Sequence, residues 1–316
     1  MIDLTIIVPA YNVAKSIGGT LKSIFAQQTK YTYEVLSING PSTDDTREVV
    51  ASFLPEHPNL RPIEYDQKNL LGARLLGLKH AQGRYVTFCD GDDEEAPNAV
   101  ETMVSALDES GADVVSCGFY FVKKKSTRPT FFRRDKTYDR REFYKAMLSD
   151  TYVRAYLWCK AFRRELFVMP DMVTPKENLY REDTLFLFVF CRDIKKAVTV
   201  KTPTYYYDKR GDSGFSGASR KRVADFVNVL AIERITIERM GDEELLRHFR
   251  KMKTWRKWQL LFDLWFNRQA FDKAERKAAK EKIRYYLGLF SSPDPLPIEG
   301  MPWEEFFPPK KETENK

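Results

Sequence analysis

Histidine and paired cysteine are nearly missing from this 316-residue chain. It has three histidines, His57, His80 and His248, and four cysteines, Cys89, Cys117, Cys159 and Cys191, far apart and without a C-x-x-C pair. A zinc site is therefore excluded as an organising element, and the cysteines read as buried reduced thiols of a cytoplasmic protein. No segment approaches the roughly 20 apolar residues that span a bilayer; the longest run, Thr184 to Cys191, is far shorter. Met1 leads almost directly into a strand-like run, without the charged start and apolar stretch of a signal peptide. No Gly-x-Gly-x-x-Gly follows the first strand and no Gly-x-x-x-x-Gly-Lys-Ser/Thr occurs, so the dinucleotide and P-loop phosphate cradles are both absent.

What remains is a well-packed composition, 43% hydrophobic and 14% aromatic, enough for one large α/β domain with an appendage. Short β-branched runs at Leu4 to Val8, Glu34 to Ile38, Arg61 to Tyr65, Tyr85 to Cys89 and Asp113 to Cys117 predict strands. Helices are predicted between them at 14–27, 44–53, 69–81 and 97–109, with Pro97 in a first-turn position. This alternation predicts a mostly parallel sheet covered by helices on both faces. Residues 119–210 are less regular, and a polar break with glycines at 211, 214 and 217 leads into a helical stretch divided near Gly241 and Asn267. The domains expected are 1–218, with halves 1–118 and 119–218, then 219–290, then a Pro-rich and charged tail, 291–316.

The charge is uneven. Net charge is +7, and residues 220–290 hold 18 Lys and Arg against 10 Asp and Glu, leaving the rest nearly neutral. Such a region can meet an anionic membrane surface, a phosphate-bearing acceptor or nucleic acid, and a solvated helical face accounts for it equally well. Trp255, Trp258 and Trp265 fall at helical spacing with Leu261 and Phe262, which predicts a core-facing stripe, so no nucleic-acid partner is expected.

In a doubly wound sheet, ligands bind beyond the carboxyl ends of the strands. Here those exits read Pro9-Ala10-Tyr11-Asn12, Asn39-Gly40-Pro41-Ser42, Asp66, and Asp90-Gly91-Asp92-Asp93. Three carboxylates within four residues, with a glycine for a tight turn, suit a hard cation such as Mg²⁺ or Mn²⁺; a helix-capping turn is the plainer alternative.

These residues resemble the family 2 glycosyltransferases over about the first 215 positions. The start Thr5-Ile6-Ile7-Val8-Pro9-Ala10-Tyr11-Asn12, the stretch Ser42-Thr43-Asp44-Asp45-Thr46, and Asn69-x-x-Gly72-Ala73-Arg74-x-x-Gly77 leading through Ala81-x-Gly83-x-Tyr85 to Asp90-Gly91-Asp92-Asp93 are similar to the family's motifs in order and spacing. Trp158-Cys159-Lys160-Ala161-Phe162, Arg181-Glu182-Asp183 and Tyr205-Tyr206-Tyr207 with Lys209, Arg210 and Ser213 resemble its later segments.

The resemblance implies a GT-A fold with a C-terminal helical region. It also implies an inverting transferase that moves a sugar from a nucleotide-diphosphate donor, a UDP-sugar being expected, to a hydroxyl of a glycan or lipid-linked acceptor in cell-surface polysaccharide synthesis. Asp183 becomes the catalytic base. Asp92, with Asp90, becomes the ligand of Mn²⁺ or Mg²⁺. Pro9, Ala10, Tyr11, Asn12, Asn39, Asp66, Asn69, Arg74, Asp90, Gly91, Lys209 and Arg210 become the donor contacts. Asn39-Gly40-Pro41 departs from the family's Asp-Asp-Gly, replacing a base-contacting carboxylate by an amide and opening the choice of nucleotide. The alternative reading is an inactive sugar-nucleotide or polyanion binder of the same fold. The expected location is the cytoplasm, peripheral on the inner membrane face through 219–290.

Overall fold

The computed structural model describes residues 1–123, 126–130, 135–149, 153–167, 178–208 and 220–306. They divide into two compact units: 1–167 with 193–214, and 168–192 with 215–316. Position 118 thus lies inside a strand, Val114–Lys123, and 168–192 groups with the C-terminal helices.

The first unit is built on one sheet. Its strands are β1 (Leu4–Ala10), β2 (Tyr33–Asn39), β3 (Leu60–Glu64), β4 (Tyr85–Phe88), β5 (Glu94–Glu95), β6 (Val114–Lys123), β7 (Ser126–Thr130), β8 (Lys136–Asp139), β9 (Lys160–Arg163) and β10 (Lys196–Asp208). The order is β3-β2-β1-β4-β9-β6-β10-β5, with β7 added to β6 and β8 to β10. Strands β3, β2, β1 and β4 are parallel neighbours, and β6 and β10 are parallel to each other; β9 and β5 run against their neighbours.

All seven residues of β1 are buried, as its unbroken apolar run requires of a strand covered on both faces. Leu4, Ile6 and Val8 join a core with Ile17, Leu21 and Ile24 of α1 (Ile17–Phe25) and with Val100, Met103, Val104 and Leu107 of α4 (Ala99–Ser110). Ile7 points the other way, against Gly77 of α3 (Leu70–His80), where an added Cβ would lie 2.5 Å from the Ile7 side chain. The helix α2 (Thr46–Ala51) completes the predicted alternation. Pro97 stands just before the N-cap Asn98 rather than inside the first turn, and Gly111 closes α4 at φ +63°.

The irregular middle is more ordered than its sequence pattern suggests. Besides β7 to β10 it holds α5 (Arg140–Leu148), opened by a capping box in which Asp139 accepts from the Glu142 N–H and Glu142 accepts in return.

In the second unit, α6 (Glu182–Phe190) and α7 (Arg220–Arg239) pack together, followed by α8 (Glu243–Lys251), α9 (Lys253–Phe266) and α10 (Lys273–Ser291). The expected breaks near Gly241 and Asn267 are present, with another at Met252. The tryptophan expectation is overturned. Trp255, Trp258, Phe262, Trp265 and Phe266 are 47–63% exposed, while Arg256, Leu260, Asp263, Leu264 and Asn267 face inward. Periodicity marks two faces of a helix, and here a buried ion pair, Arg256 to Glu233 at 2.7 Å, holds the more polar face inside. Among the described residues no helix is long and apolar enough to cross a membrane, and all four cysteines are buried and free.

Gly83 joins α3 to β4 under backbone on every side. A Cβ there would lie 2.6 Å from Thr5 N and 2.7 Å from both Leu4 C and Tyr85 O, and the Gly83 N–H donates to Thr5 Oγ1 at 2.9 Å. Backbone cannot yield as a side chain can, so Gly83→Ala is expected to cost about 1–3 kcal/mol. Urea unfolding checks this, and an unchanged midpoint would contradict it.

Candidate functional site

Parallel register brings the strand exits to one edge. Ala10 lies opposite Asn39, Asn39 opposite Glu64, and Phe88 opposite Ile7, so the turn Asp90–Asp93 rises beside the end of β1. Gly91 makes this approach possible, since a Cβ there would be 2.8 Å from Pro9 O.

The acidic turn is held from four directions. Arg74, 1% exposed, places Nη2 3.0 Å from Asp90 Oδ1. The hydroxyls of Ser16, just before α1, and of Thr20 within it each donate to Gly91 O at 3.1 Å. The Asp93 N–H closes the turn on Asp90 O at 3.1 Å. From below, Tyr205 of β10 accepts from the Asp90 N–H at 3.1 Å and donates to Asp93 Oδ2 at 3.0 Å. Pairing of β5 with β10, Glu95 opposite Tyr205, sets this contact. Burial, then the charges around it, hold the Tyr205 phenol well above its ordinary range, so it remains a proton donor.

Asp90 and Asp92 are half-buried, whereas Asp93 is buried. Tyr207 is half-buried, and its phenol is raised by burial and then by Asp93, Tyr156, Asp90 and Asp92. Trp158 stacks on Tyr156, Tyr205 and Tyr207 at 4.4, 4.9 and 5.1 Å between centroids, fixing these phenols. Tyr205, Tyr207 and Trp158 were visible in the sequence only as motif aromatics. The support that Tyr205 gives the turn needs contacts across more than 100 positions, for which local pattern has no signal.

At the exit of β1, Asn12 takes the left-handed conformation at φ 52°. Its Oδ1 accepts from the Thr43 N–H at 2.9 Å, and the N–H groups of Asn12, Val13 and Ala14 donate to Ser42 Oγ, Thr46 Oγ1 and Asp44 Oδ2 at 3.0, 2.9 and 3.0 Å. The Ser-Thr-Asp-Asp-Thr stretch therefore clamps this loop. Burial works to raise the Asp44 carboxyl, but the hydrogen bonds from Thr46 and Ala14 outweigh it and hold the group below the usual carboxylate range.

Pro9 and Ala10 are buried in β1, while Tyr11 is 38% exposed with Lys68 Nζ 5.8 Å from its ring. Asp66 is exposed past β3. Asn69 is buried as the N-cap of α3, accepting from the Gly72 N–H at 3.2 Å. The amide of Asn39 is engaged inside the sheet, its Oδ1 accepting from Ser37 at 2.8 Å and its Nδ2 donating to Glu64 at 3.1 Å. Lys209 and Arg210 lie outside the described residues.

Asp183 belongs to the second unit. It is half-buried in the first turn of α6, where the helix dipole favours an ionised carboxylate. The preceding Arg181 is left-handed at φ 68°, with its guanidinium 4.0 Å from the Phe226 ring of α7, and the Tyr180 N–H donates to Asp225 at 2.9 Å. Among the described residues, the non-glycine positions at positive φ, Asn12, Cys159 and Arg181, all fall in motif segments. Such backbone is unfavourable unless its surroundings fix it.

Among the described residues no three His, Cys, Asp or Glu converge as a metal cage. Two half-buried carboxylates at a tight turn nonetheless fit Mg²⁺ or Mn²⁺, which take one or two protein carboxylates and complete their shell from substrate phosphate and water.

Tyr205→Phe keeps the stacked ring and removes both hydrogen bonds to the turn. A loss of about 1–3 kcal/mol in denaturant unfolding is expected, as for a buried hydrogen bond to a charged group; an unchanged stability would contradict the supporting role. Glu95 supplies a pH signature. Both its carboxylate oxygens are buried without a hydrogen-bond partner, and burial, then Asp93, push its pKa well above the ordinary range. The folded state therefore disfavours the charged form. Its stability is greatest below the unfolded carboxylate pKa and falls as pH rises toward the folded value. Relative to wild type, Glu95→Gln is expected to gain stability as pH rises above the ordinary glutamate value of about 4.3. Parallel pH profiles in urea unfolding would contradict this.

The model of Glycosyl transferase family 2 matches residues 5–168. The chain is 26% identical over 216 residues to the uncharacterized glycosyltransferase EpsJ of Bacillus subtilis, a stretch covering 66% of this chain and 62% of that protein. The matched stretch thus spans less than two-thirds of that relative. TarS 1–349 from S. aureus, solved in complex with UDP-GlcNAc, superposes with a TM-score of 0.61 at 18% identity, covering 90% of this chain and 92% of that one. Mannosyltransferase PcManGT from Pyrobaculum calidifontis, solved with GDP-Man and Mn²⁺, superposes at 0.52 and 19% identity over 91% and 86% of the two chains. The mixed α/β architecture is that of these structures. Because the family's model covers just over half of the sequence, the chain belongs to glycosyl transferase family 2.

Proposed function

We propose that this chain transfers a sugar from a nucleoside-diphosphate donor, a UDP-sugar first, to a hydroxyl of a glycan or lipid-linked acceptor in cell-surface polysaccharide synthesis, with inversion at the anomeric carbon. The observation that carries the reading is the acidic turn Asp90–Asp93, fixed at the carboxyl edge of the parallel strands by Arg74 and Tyr205. The four buried free thiols are in keeping with a cytoplasmic location.

In this reading Tyr11, with its exposed ring, and Pro9, Ala10 and Asn12 of the clamped β1 exit receive the nucleotide base. The Asn39 amide, already shared between Ser37 and Glu64, has one N–H and one lone pair left for the base edge. Asp66, past β3, and Asn69, the N-cap of α3, are proposed as further donor contacts. Asp90, oriented by Arg74 through one oxygen, offers the other toward the ribose or a bound water. Mg²⁺ or Mn²⁺ held by Asp92 with Asp90 would offset the charge gathering on the departing diphosphate. Lys209 and Arg210 are proposed phosphate contacts.

Asp183 receives the acceptor's hydroxyl proton as the new oxygen–carbon bond forms and the bond from the anomeric carbon to the diphosphate oxygen breaks. Such a carboxylate is a weak base, with a reference pKa near ~4. It suffices because the alcohol becomes acidic only as that bond forms, so placement matters more than basicity.

A panel of UDP-, GDP- and dTDP-sugars with Mn²⁺ or Mg²⁺, scored for thermal stabilisation and nucleotide release, tests the proposal. Stabilisation and release with one donor are expected. Stabilisation without release or transfer would favour the inactive binder. Asp92→Ala and Asp183→Asn are each expected to lower turnover by at least ~100-fold, and near-normal turnover in both folded variants would reject the assignment.

A further inference from the structure

Helix α9 is inverted. Its inward face carries Arg256, paired at 2.7 Å with the buried Glu233 of α7, together with Asp263 and Asn267, while five large aromatics look outward. Trp255, Trp258, Phe262, Trp265 and Phe266 fall within an arc of roughly 100° at 3.6 residues per turn. Phe262 lies 5.9 Å from Trp265 and 6.4 Å from Phe266, so the stripe is continuous. The buried ion pair fixes the rotation of α9 and keeps the aromatics from turning inward. An exposed apolar stripe of this kind marks an interaction surface.

Beside the stripe, between α9 and α10, lies a groove of about 420 Å³. Lys257, Arg268, Arg276, Lys280 and Arg284 line it together with Trp265, and no carboxylate does. None of these five cations takes part in a salt bridge among the described residues, although ten of the eighteen basic side chains of 220–290 fall on α9, α10 and their link. The Arg268 guanidinium sits 4.7 Å from the Trp265 ring, at the seam between groove and stripe.

We propose that this face of the second unit docks on a bilayer containing anionic lipid, the aromatic stripe entering the headgroup boundary and the basic groove receiving lipid phosphate. The pattern is that of an interfacial helix: aromatics on one arc, cations confined to its flank. A second copy of the chain is disfavoured because it would bring five unpaired cations against five more. Nucleic acid is disfavoured because the stripe itself carries no interleaved cation with which to follow a phosphate backbone. The charge of 219–290 alone names no contact surface, and the structure assigns one. The proposal does not depend on the transfer chemistry, so its failure would leave that reading untouched.

Flotation of the full chain with phosphatidylglycerol-containing vesicles, against pure phosphatidylcholine vesicles, tests it. Binding to the anionic vesicles at low salt, with a blue shift of tryptophan fluorescence, is expected. Trp258→Ala with Trp265→Ala alters only exposed positions and is expected to weaken binding by roughly tenfold or more, given the apolar area withdrawn from the interface. Lys280→Glu with Arg284→Glu is expected to abolish binding. Circular dichroism and melting temperature confirm that each variant is folded. Absence of binding to anionic vesicles, or binding unchanged in both folded double variants, would overturn the proposal. So would failure to bind vesicles joined with self-association or a nucleic-acid shift that the same substitutions remove.

Discussion

Three carboxylates within four residues repel one another, and the turn that carries them holds its shape only because the protein surrounds it with donors. The Tyr205 hydroxyl is the central one, because it touches both ends of the turn, through the Asp90 N–H and the Asp93 carboxylate. Arg74, itself nearly removed from solvent, compensates the Asp90 carboxylate. An arginine so buried without a partner would be costly, and a carboxylate so constrained without one equally so. Each makes the other tolerable. Asp92 lies half-buried between these two fixed ends of the turn.

That frame joins distant parts of the chain. Tyr205 lies 115 positions from Asp90, on the long β10, and reaches the turn only because β5 pairs with β10 directly beyond it. The Trp158 stack then locks the tyrosines of β10 to the stretch before β9. Left-handed backbone at Asn12, Cys159 and Arg181 belongs to the same economy of constraint, since each occurs where a segment bends to present side chains. The sheet thus serves as a rigid carrier for an acidic turn and a clamped β1 exit.

The N-terminal half of the fold was legible because its strands are short runs of β-branched residues punctuated by helix signals, and each predicted element from Leu4 to Cys117 has its counterpart within a few residues. The strand exits could be read for the same reason: parallel strands of matched length end together. The middle was less legible. The strand β9 is four residues long and lies between neighbours distant in sequence, although the Asp139 to Glu142 capping box was a local signal for α5. At α9, periodicity reported two faces correctly but not which one turns inward. The inward face carries a buried ion pair, Arg256 with Glu233, which hydrophobic pattern cannot register. Tyr205 illustrates the same limit at the site, where an apparently ordinary strand aromatic is the residue that holds the turn.

Asp92, half-buried in the acidic turn, is the carboxylate proposed to take the metal. The most direct test is the anomalous scattering of Mn²⁺ in crystals grown with Mn²⁺ and UDP. The account predicts one strong peak within coordination distance of the Asp92 carboxylate, with Arg74 still paired to Asp90 and Tyr205 still bridging the turn. A peak remote from Asp92, or a turn that has released Tyr205 in order to bind the ion, would contradict it.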